Sequence, residues 1–376
     1  MLLKLHLVPL LTILAHKVNC LSLGRFGVSV KTASLTDYSR LDPFAPSSQP
    51  REVVISTFRP AANECTTFQE IPYMPTKTAR FEGSKLSTAY GLPASLFANI
   101  TLSTASASCS ASADHSLPTL LFSPALGTSR HLYNLLAANL ASRGYAVTTI
   151  DHPYDADVVE FPNGTLVYGL DFTDAQVPLA VETRAQDIRF VLDALRSGSA
   201  LHPRCNGSGG APAALALALG HSLGGAAALT AAAEDERLRG AVNLDGSVFG
   251  DVLDRCVVRQ PVLFFAHEGK NLTADATWEA VWPRLDVWKK LVALDGSQHY
   301  TFSDLPALAA SLGLDASGLD ASGSEALTGM LGTINGARAM ETVTGVLDNF
   351  VEFVVGKLEA DGFDVALQGY PDVEVV

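Results

Sequence analysis

From residue 119 onward, short apolar runs alternate with longer segments whose apolar residues recur every three or four positions. That alternation predicts strands and helices taken in turn, the signature of a mostly parallel sheet. Residues 119–123 (TLLFS), 145–150 (YAVTTI), 213–219 (AALALAL), 240–244 (GAVNL), 261–266 (PVLFFA) and 290–294 (KLVAL) read as strands. Residues 131–143 read as a helix ended by Gly144, and residues 182–196 as a helix with Ile188, Val191, Leu192 and Leu195 on one face. Residues 225–238 form an Ala-rich helix, and residues 338–357 a last helix burying Val343, Val346, Leu347, Phe350 and Val354. Upstream, residues 51–60 (REVVISTFRP) read as a strand bounded by prolines, and the polar residues 21–50 as an irregular leading segment. The Ser/Ala-rich residues 103–116 and the tandem GLDAS-GLDAS at 313–322 read as loops. The expectation is an α/β fold with a mostly parallel central sheet flanked by helices. No linker interrupts the pattern, so residues 21–376 are expected to form one catalytic domain.

The chain has 376 residues and is 48% hydrophobic, enough to fill a sizeable core. Its formal charge of −13 argues against nucleic acid, which is bound by neutralising phosphates, and against strongly anionic membranes. The first twenty residues change the picture of where it works. Lys4, a short apolar run from Val8 to Ala15, and small residues at Val18 and Cys20 form a secretory signal with cleavage after Cys20. The run is far shorter than the roughly 20 apolar residues of a membrane span. Secretion also suits the four cysteines that would remain, Cys65, Cys109, Cys205 and Cys256, which allow two disulfides. Sequons at Asn99, Asn163, Asn206 and Asn271 point the same way. No C-x-x-C pair is present to suggest a metal site.

Gly220-His221-Ser222-Leu223-Gly224 satisfies G-x-S-x-G, and its context makes it informative. An apolar strand runs straight into the pentapeptide and a helix opens straight after it, as in the nucleophile elbow of α/β-hydrolases. The turn is so tight that the residues two before and two after the serine must be small. At a helix N-terminus, free N–H groups and the dipole favour the negative charge that develops during acyl transfer. Ser222 is therefore the candidate nucleophile.

A serine hydroxyl needs a base, and in this fold the chain order is serine, acid, histidine, each on a loop at a strand's C-terminal end. Of nine histidines only His267 and His299 follow Ser222. His299 lies just past the last predicted strand, where the base belongs; His267 lies one strand too early and reads as a structural or pocket-lining residue. For the acid, Asp245 follows the strand after the elbow helix and is preferred over Glu268 and Asp295. Two N–H groups are needed for the oxyanion. One is that of Leu223; Pro124 has no N–H, so the other belongs to Ala125 or Leu126.

Five segments resemble the platelet-activating factor acetylhydrolases (1-alkyl-2-acetylglycerophosphocholine esterases) in their secreted, fungal-type branch. They are FSPALGTSRHLYNLLAANLASRGYAV (122–147), GHSLGG (220–225), VNLDG (242–246), QPVLFFAHEG (260–269) and GSQHYTFSDL (296–305), so the likeness covers roughly residues 51–305. The resemblance implies the triad Ser222, Asp245 and His299, oxyanion amides from Leu223 and Leu126, no metal or other cofactor, and cleavage of short or oxidised acyl chains at the sn-2 position. Two departures fall where the acyl group would bind. Pro124-Ala125 stands where relatives usually carry His-Gly, and Gly246-Ser247-Val248-Phe249 is less bulky than the aromatic wall expected after the acid.

Together these readings predict a secreted serine esterase acting on a small-molecule or lipid ester, with at most peripheral contact with membrane or lipoprotein surfaces. A polyester or cutin-type enzyme, a general short-chain carboxylesterase and a non-catalytic binding module are the alternatives. Residues 154–180, with Phe161, Tyr168 and Phe172, and residues 301–330 are candidate pocket covers.

Overall fold

The structure is a computed structural model; it describes residues 16–17, 24–62, 65–106, 117–197, 214–253, 257–314 and 321–376. Nine strands form the central sheet: β1 (Val28–Leu41), β2 (Pro50–Pro60), β3 (Thr119–Ser123), β4 (Ala146–Asp151), β5 (Ala216–His221), β6 (Leu238–Leu244), β7 (Val262–His267), β8 (Lys289–Leu294) and β9 (Val373–Val375). Their order is β9-β8-β7-β6-β5-β3-β4-β2-β1. Strands β4, β3, β5, β6, β7 and β8 run parallel, and β9, β2 and β1 pair antiparallel at the two sides. This is the mostly parallel α/β sheet that the alternation predicted.

The period of two along each strand divides the apolar runs between two cores. Leu217, Leu219, Val242, Leu244, Leu263 and Phe265 face one, against the helix Gly336–Val354. Ala216, Ala218, Ala241, Val262, Phe264 and Ala266 face the other. The small alanines on that second face let the Ala-rich helix α4 (Leu223–Glu234) sit close to the sheet, with Ala227, Ala228, Ala231 and Ala232 fully buried. Both faces are covered, which is why the strands read as near-continuous apolar runs.

Two expectations are corrected, and one helix is new. Residues 28–41, read as irregular, form the long strand β1. It is an edge strand with much of its surface in solvent, so its polar composition disguised a fourteen-residue strand. Helix α1 (Thr76–Tyr90) was not anticipated, because its apolar residues are sparse and its buried side includes Thr78 and Glu82. Helix α3 (Val177–Ser197) starts five residues earlier than the pattern suggested, through Val177-Pro178. Residues 1–15 and 18–20 of the leader, Cys109, Cys205, Cys256, Asn206 and residues 315–320 of the tandem loop lie outside the described residues. No described helix is long and apolar enough to cross a membrane.

Candidate active site

Strand β5 delivers Ser222 into a left-handed backbone conformation (φ 56°) at the start of α4. Only two other described non-glycine residues have positive φ, Tyr154 and Asp245, and such strain tends to collect at functional sites. The tightness of the turn is measurable. A Cβ on Gly220 would lie 2.1 Å from the Gly224 carbonyl oxygen, and one on Gly224 would lie 2.0 Å from that of Ser123. No side chain fits at either position.

Asp245 reaches the elbow because β6 is the direct neighbour of β5: the Ser222 amide donates to the Leu244 carbonyl at 2.8 Å. Asn243 then folds the turn, accepting from the Gly246 amide and donating to the Gly246 carbonyl, both at 2.7 Å. Gly246 is needed there, since a Cβ would sit 2.0 Å from the Ser222 carbonyl. Asp245 itself is buried.

His299 opens the short turn His299–Phe302 after β8, and its Nδ1 is hydrogen-bonded to Asp245 Oδ2. The turn is held from several sides. The Gln298 amide donates to Thr301 Oγ1 at 2.7 Å, and the Thr301 hydroxyl donates to the Leu331 carbonyl at 2.7 Å. Just downstream, buried Asp304 accepts from the amides of Leu135 and Leu136 and from the Tyr73 hydroxyl, tying the histidine loop to the start of helix α2 (Asn134–Ser142). With Nδ1 engaged by the carboxylate, Nε2 is the ring nitrogen left for a second partner. The Ser222 hydroxyl and His299 are not hydrogen-bonded in this structure; such contacts commonly tighten only when substrate is bound.

His267, expected to be structural or pocket-lining, ends β7 and places Nδ1 2.7 Å from Asp245 Oδ1. Lys270 donates to the Asp245 carbonyl at 2.8 Å and lies 3.7 Å from Oδ1. Burial opposes ionisation of Asp245, but hydrogen bonds from His267 and His299 and the Lys270 charge outweigh it and hold the carboxyl well below its usual range. Donor atoms of Asp245, His267 and His299 fall within 4.8 Å of one another, close enough to suggest a metal. Each Nδ1 is already committed to its own carboxylate oxygen, and that hydrogen bonding accounts for the cluster. The competing acids lie elsewhere: Glu268 is exposed and accepts from the Gly296 amide, and Asp295 is exposed.

Ser222, Asp245, His267 and His299 line one cavity of about 440 Å³, together with Leu126, Leu223, Val177, Ser247, Phe249 and Lys270. The two candidate oxyanion residues therefore flank the serine. The alternatives Ala125 and Leu126 differ in what their amides face. The Ala125 amide donates to the Tyr133 hydroxyl at 3.2 Å, so it is not available. The Ala125 carbonyl accepts from Arg184 at 3.3 Å, and a trans peptide aims the following N–H, that of Leu126, the opposite way.

Arg184 was invisible as a functional residue in the sequence. It is buried on α3, donates to the Pro124 carbonyl and to Ser123 Oγ (3.1 Å), and is paired with Asp155. Behind it lies a second serine–histidine–aspartate chain: Ser123 Oγ to His152 Nε2 at 3.0 Å, and His152 Nδ1 to Asp187 at 2.8 Å. Arg51 joins Asp187 to Asp42. All five side chains are buried, so this chain is scaffolding beneath the Pro124–Leu126 loop and does not face substrate. Burial pushes the His152 imidazole below its usual range, which leaves its Nε2 free to accept from Ser123. His221, inside the elbow, is fully buried and is not among the residues that line the cavity. The Tyr133 hydroxyl, which accepts from the Ala125 amide, is also hydrogen-bonded to His221 Nδ1 at 2.8 Å. Of the expected covers, Tyr168 and Phe172 line a second cavity of about 520 Å³ on the far side of Leu126. Phe161 instead packs with Val54, Ala156 and Val159.

Comparison with known proteins places the chain in a family. The family model described as platelet-activating factor acetylhydrolase, isoform II, matches residues 49–159 and 212–318, more than half of the chain. A probable 1-alkyl-2-acetylglycerophosphocholine esterase of Arthroderma benhamiae is 31% identical over 352 residues, covering 88% of this chain and 86% of that protein. The platelet-activating factor acetylhydrolase of Cavia porcellus is 25% identical over 218 residues, half of this chain and 48% of that protein. Among solved structures, a ferulic acid esterase from Streptomyces cinnamoneus superposes with a TM-score of 0.71 at 29% identity, covering 96% of this chain and all of that one. With the α/β-hydrolase fold and the family model in agreement, the chain belongs to the platelet-activating factor acetylhydrolase isoform II family and is an ester hydrolase.

Proposed function

We propose that the protein is an exported serine esterase that releases short acyl groups from phospholipids of the platelet-activating-factor type, through an acyl-enzyme on Ser222. The observation that carries this reading is the buried Asp245 carboxylate bonded to His299 Nδ1 at the cavity that Ser222 lines. In the first step Ser222 Oγ attacks the ester carbon and its proton passes to His299 Nε2. Asp245 holds the tautomer and stabilises the imidazolium without taking the proton. The N–H groups of Leu223 and Leu126 receive the oxyanion, aided by the N-terminus of α4. Collapse expels the alcohol, which takes the proton from His299. A water then gives a proton to the same nitrogen and attacks the acyl carbon; the acid leaves and Ser222 regains its proton.

Export rests on the leader and on two structural supports. Cys65 is disulfide-bonded, which suits an oxidising compartment, and Asn163 of its sequon is exposed. A general short-chain esterase is the second reading, favoured by the full-length likeness to a ferulic acid esterase. A hydrolysis screen across acyl lengths, with and without a phosphocholine head, separates the two. We expect the highest kcat/KM for 2-acetyl phospholipid; faster turnover of headless aromatic esters would favour the second reading. Labelling by a fluorophosphonate, located by peptide mass spectrometry, is expected on Ser222.

Arg184 yields its own test. Arg184→Lys keeps a cation beside Asp155 but loses the planar fork that holds Ser123, Pro124 and Ala125 together. The Leu126 amide should lose its aim, with kcat falling toward the roughly 10²-fold loss of a missing oxyanion donor and KM little changed. An unchanged kcat in a folded Arg184→Lys enzyme would remove Arg184 from the site's support.

A further inference from the structure

Asp245 carries two imidazoles, and the triad needs only one. The side chain is fully shielded from solvent, so each carboxylate oxygen must find its donors inside the protein. Oδ2 is bonded to His299 Nδ1. Oδ1 receives two N–H groups from one residue, the His267 ring at 2.7 Å and the His267 backbone at 3.2 Å. The clamp comes from the end of β7, the strand beside the one that carries Asp245, so it is anchored in the sheet. His299 sits in a loop, with its ring centroid 4.7 Å from that of His221 in the elbow. The two histidines are therefore not equivalent: one is next to the nucleophile, and the other holds the far oxygen of the acid.

We infer that His267 is a positioning residue for ester hydrolysis, whose Nδ1–H occupies Asp245 Oδ1 so that the carboxylate presents a single oxygen, in a single orientation, to His299. The inference rests on the triad reading given above and adds to it a fourth residue that spacing along the chain assigned to the background. Without the ring, Oδ1 is left to the longer backbone contact at 3.2 Å, so the carboxylate is freer to rotate about its Cβ–Cγ bond, and the imidazole it orients would rotate with it. The clamp also shares the carboxylate's charge. Asp245, Lys270 and His299 are the charged or titratable groups that face His267 closely, and Asp275 stands behind Lys270 at 3.2 Å. With the His267 ring removed, Oδ1 keeps the backbone N–H of residue 267 at 3.2 Å and Lys270 at 3.7 Å, and more of the carboxylate's pull falls on His299. The imidazolium of His299 gains stability, so deprotonation to the active base requires higher pH.

The test compares three variants by kcat, KM and the pH profile of kcat/KM on p-nitrophenyl acetate. His267→Asn places an amide nitrogen where Nδ1 stands, His267→Gln places one near Nε2, and His267→Ala supplies neither. We expect His267→Ala to lose about 10- to 100-fold in kcat, the range for a hydrogen bond to a charged group, with KM nearly unchanged and the acid limb displaced to higher pH. His267→Asn should recover most of both, and His267→Gln should not. If His267→Ala does not fold, the Asn and Gln pair decides the matter alone. A wild-type acid limb in the alanine or glutamine variant would overturn the inference, as would equal losses in all three. So would a loss in His267→Ala as complete as that in His299→Ala, which would make His267 the base. Fluorophosphonate labelling separates the two levels. A wild-type enzyme that is not labelled at Ser222 refutes the triad reading, whereas a labelled enzyme indifferent to position 267 refutes only the role of His267.

Discussion

Ser222→Ala is expected to lower kcat on p-nitrophenyl acetate by about 10⁶-fold, leaving only the modest acceleration that binding and the oxyanion amides supply without a nucleophile. The size follows from what the side chain does. Its oxygen forms the covalent bond, and His299 and Asp245 have no other group to act on, so removing the serine disables all three at once. Stability should hardly move. The Ser222 hydroxyl has no hydrogen bond to His299 to lose, and the positive φ costs alanine about what it costs serine. The backbone bonds that build the elbow, Ser222 amide to Leu244 carbonyl and Gly225 amide to Ser222 carbonyl, survive the change. A folded variant with wild-type turnover would remove Ser222 from the chemistry, and fluorophosphonate labelling of such a variant would show which residue had replaced it.

How much of this could be read from the chain depends on what each feature is made of. The parallel strands β3, β5, β6, β7 and β8 were legible to within a few residues, because burial on both faces demands runs such as 261–266 (PVLFFA) that little else explains. The elbow was legible because it is local: strand, small residue, serine, small residue and helix are contiguous. Strand β1 was hidden by its exposed positions, and α1 by a buried side that is partly polar. The support of the Pro124–Leu126 loop was hidden for a different reason. Arg184 lies about sixty residues from the carbonyls it holds and touches backbone atoms, which carry no side-chain signature. Tyr133 is eight residues from Ala125, yet it is its hydroxyl that removes Ala125 from the candidates, a fact about orientation that spacing does not encode. His267 shows the same limit from the other side. Counting strands placed it one too early for the base, but its hydrogen bond to Asp245 emerges only when β6 and β7 lie side by side.

Asp245→Asn and Glu268→Gln, assayed together, are expected to differ by more than three orders of magnitude. In the first, the amide can turn its NH2 toward His299, favouring the imidazole tautomer with the proton on Nε2, where it cannot accept from Ser222. A loss of about 10⁴-fold in kcat is the scale of that error. The same change leaves Lys270 and His267 facing a neutral group in place of the anion they now share. Glu268 is exposed, and among the described residues its carboxylate accepts from the Gly296 amide, a bond that glutamine's carbonyl can also accept. Its replacement should cost less than about threefold, within the range of surface polar changes. The pH profile adds an independent reading. Because Asp245 is held well below the usual carboxylate range, it stays ionised far into acid, so an acid limb in the wild-type profile does not report its protonation. In Asp245→Asn the anion that stabilises the imidazolium is gone, so the remaining activity should keep its acid limb at lower pH than the wild type. A large loss confined to Glu268→Gln, with Asp245→Asn near wild type, would transfer the acid to the loop after β7 and leave the Asp245–His299 bond a matter of structure alone.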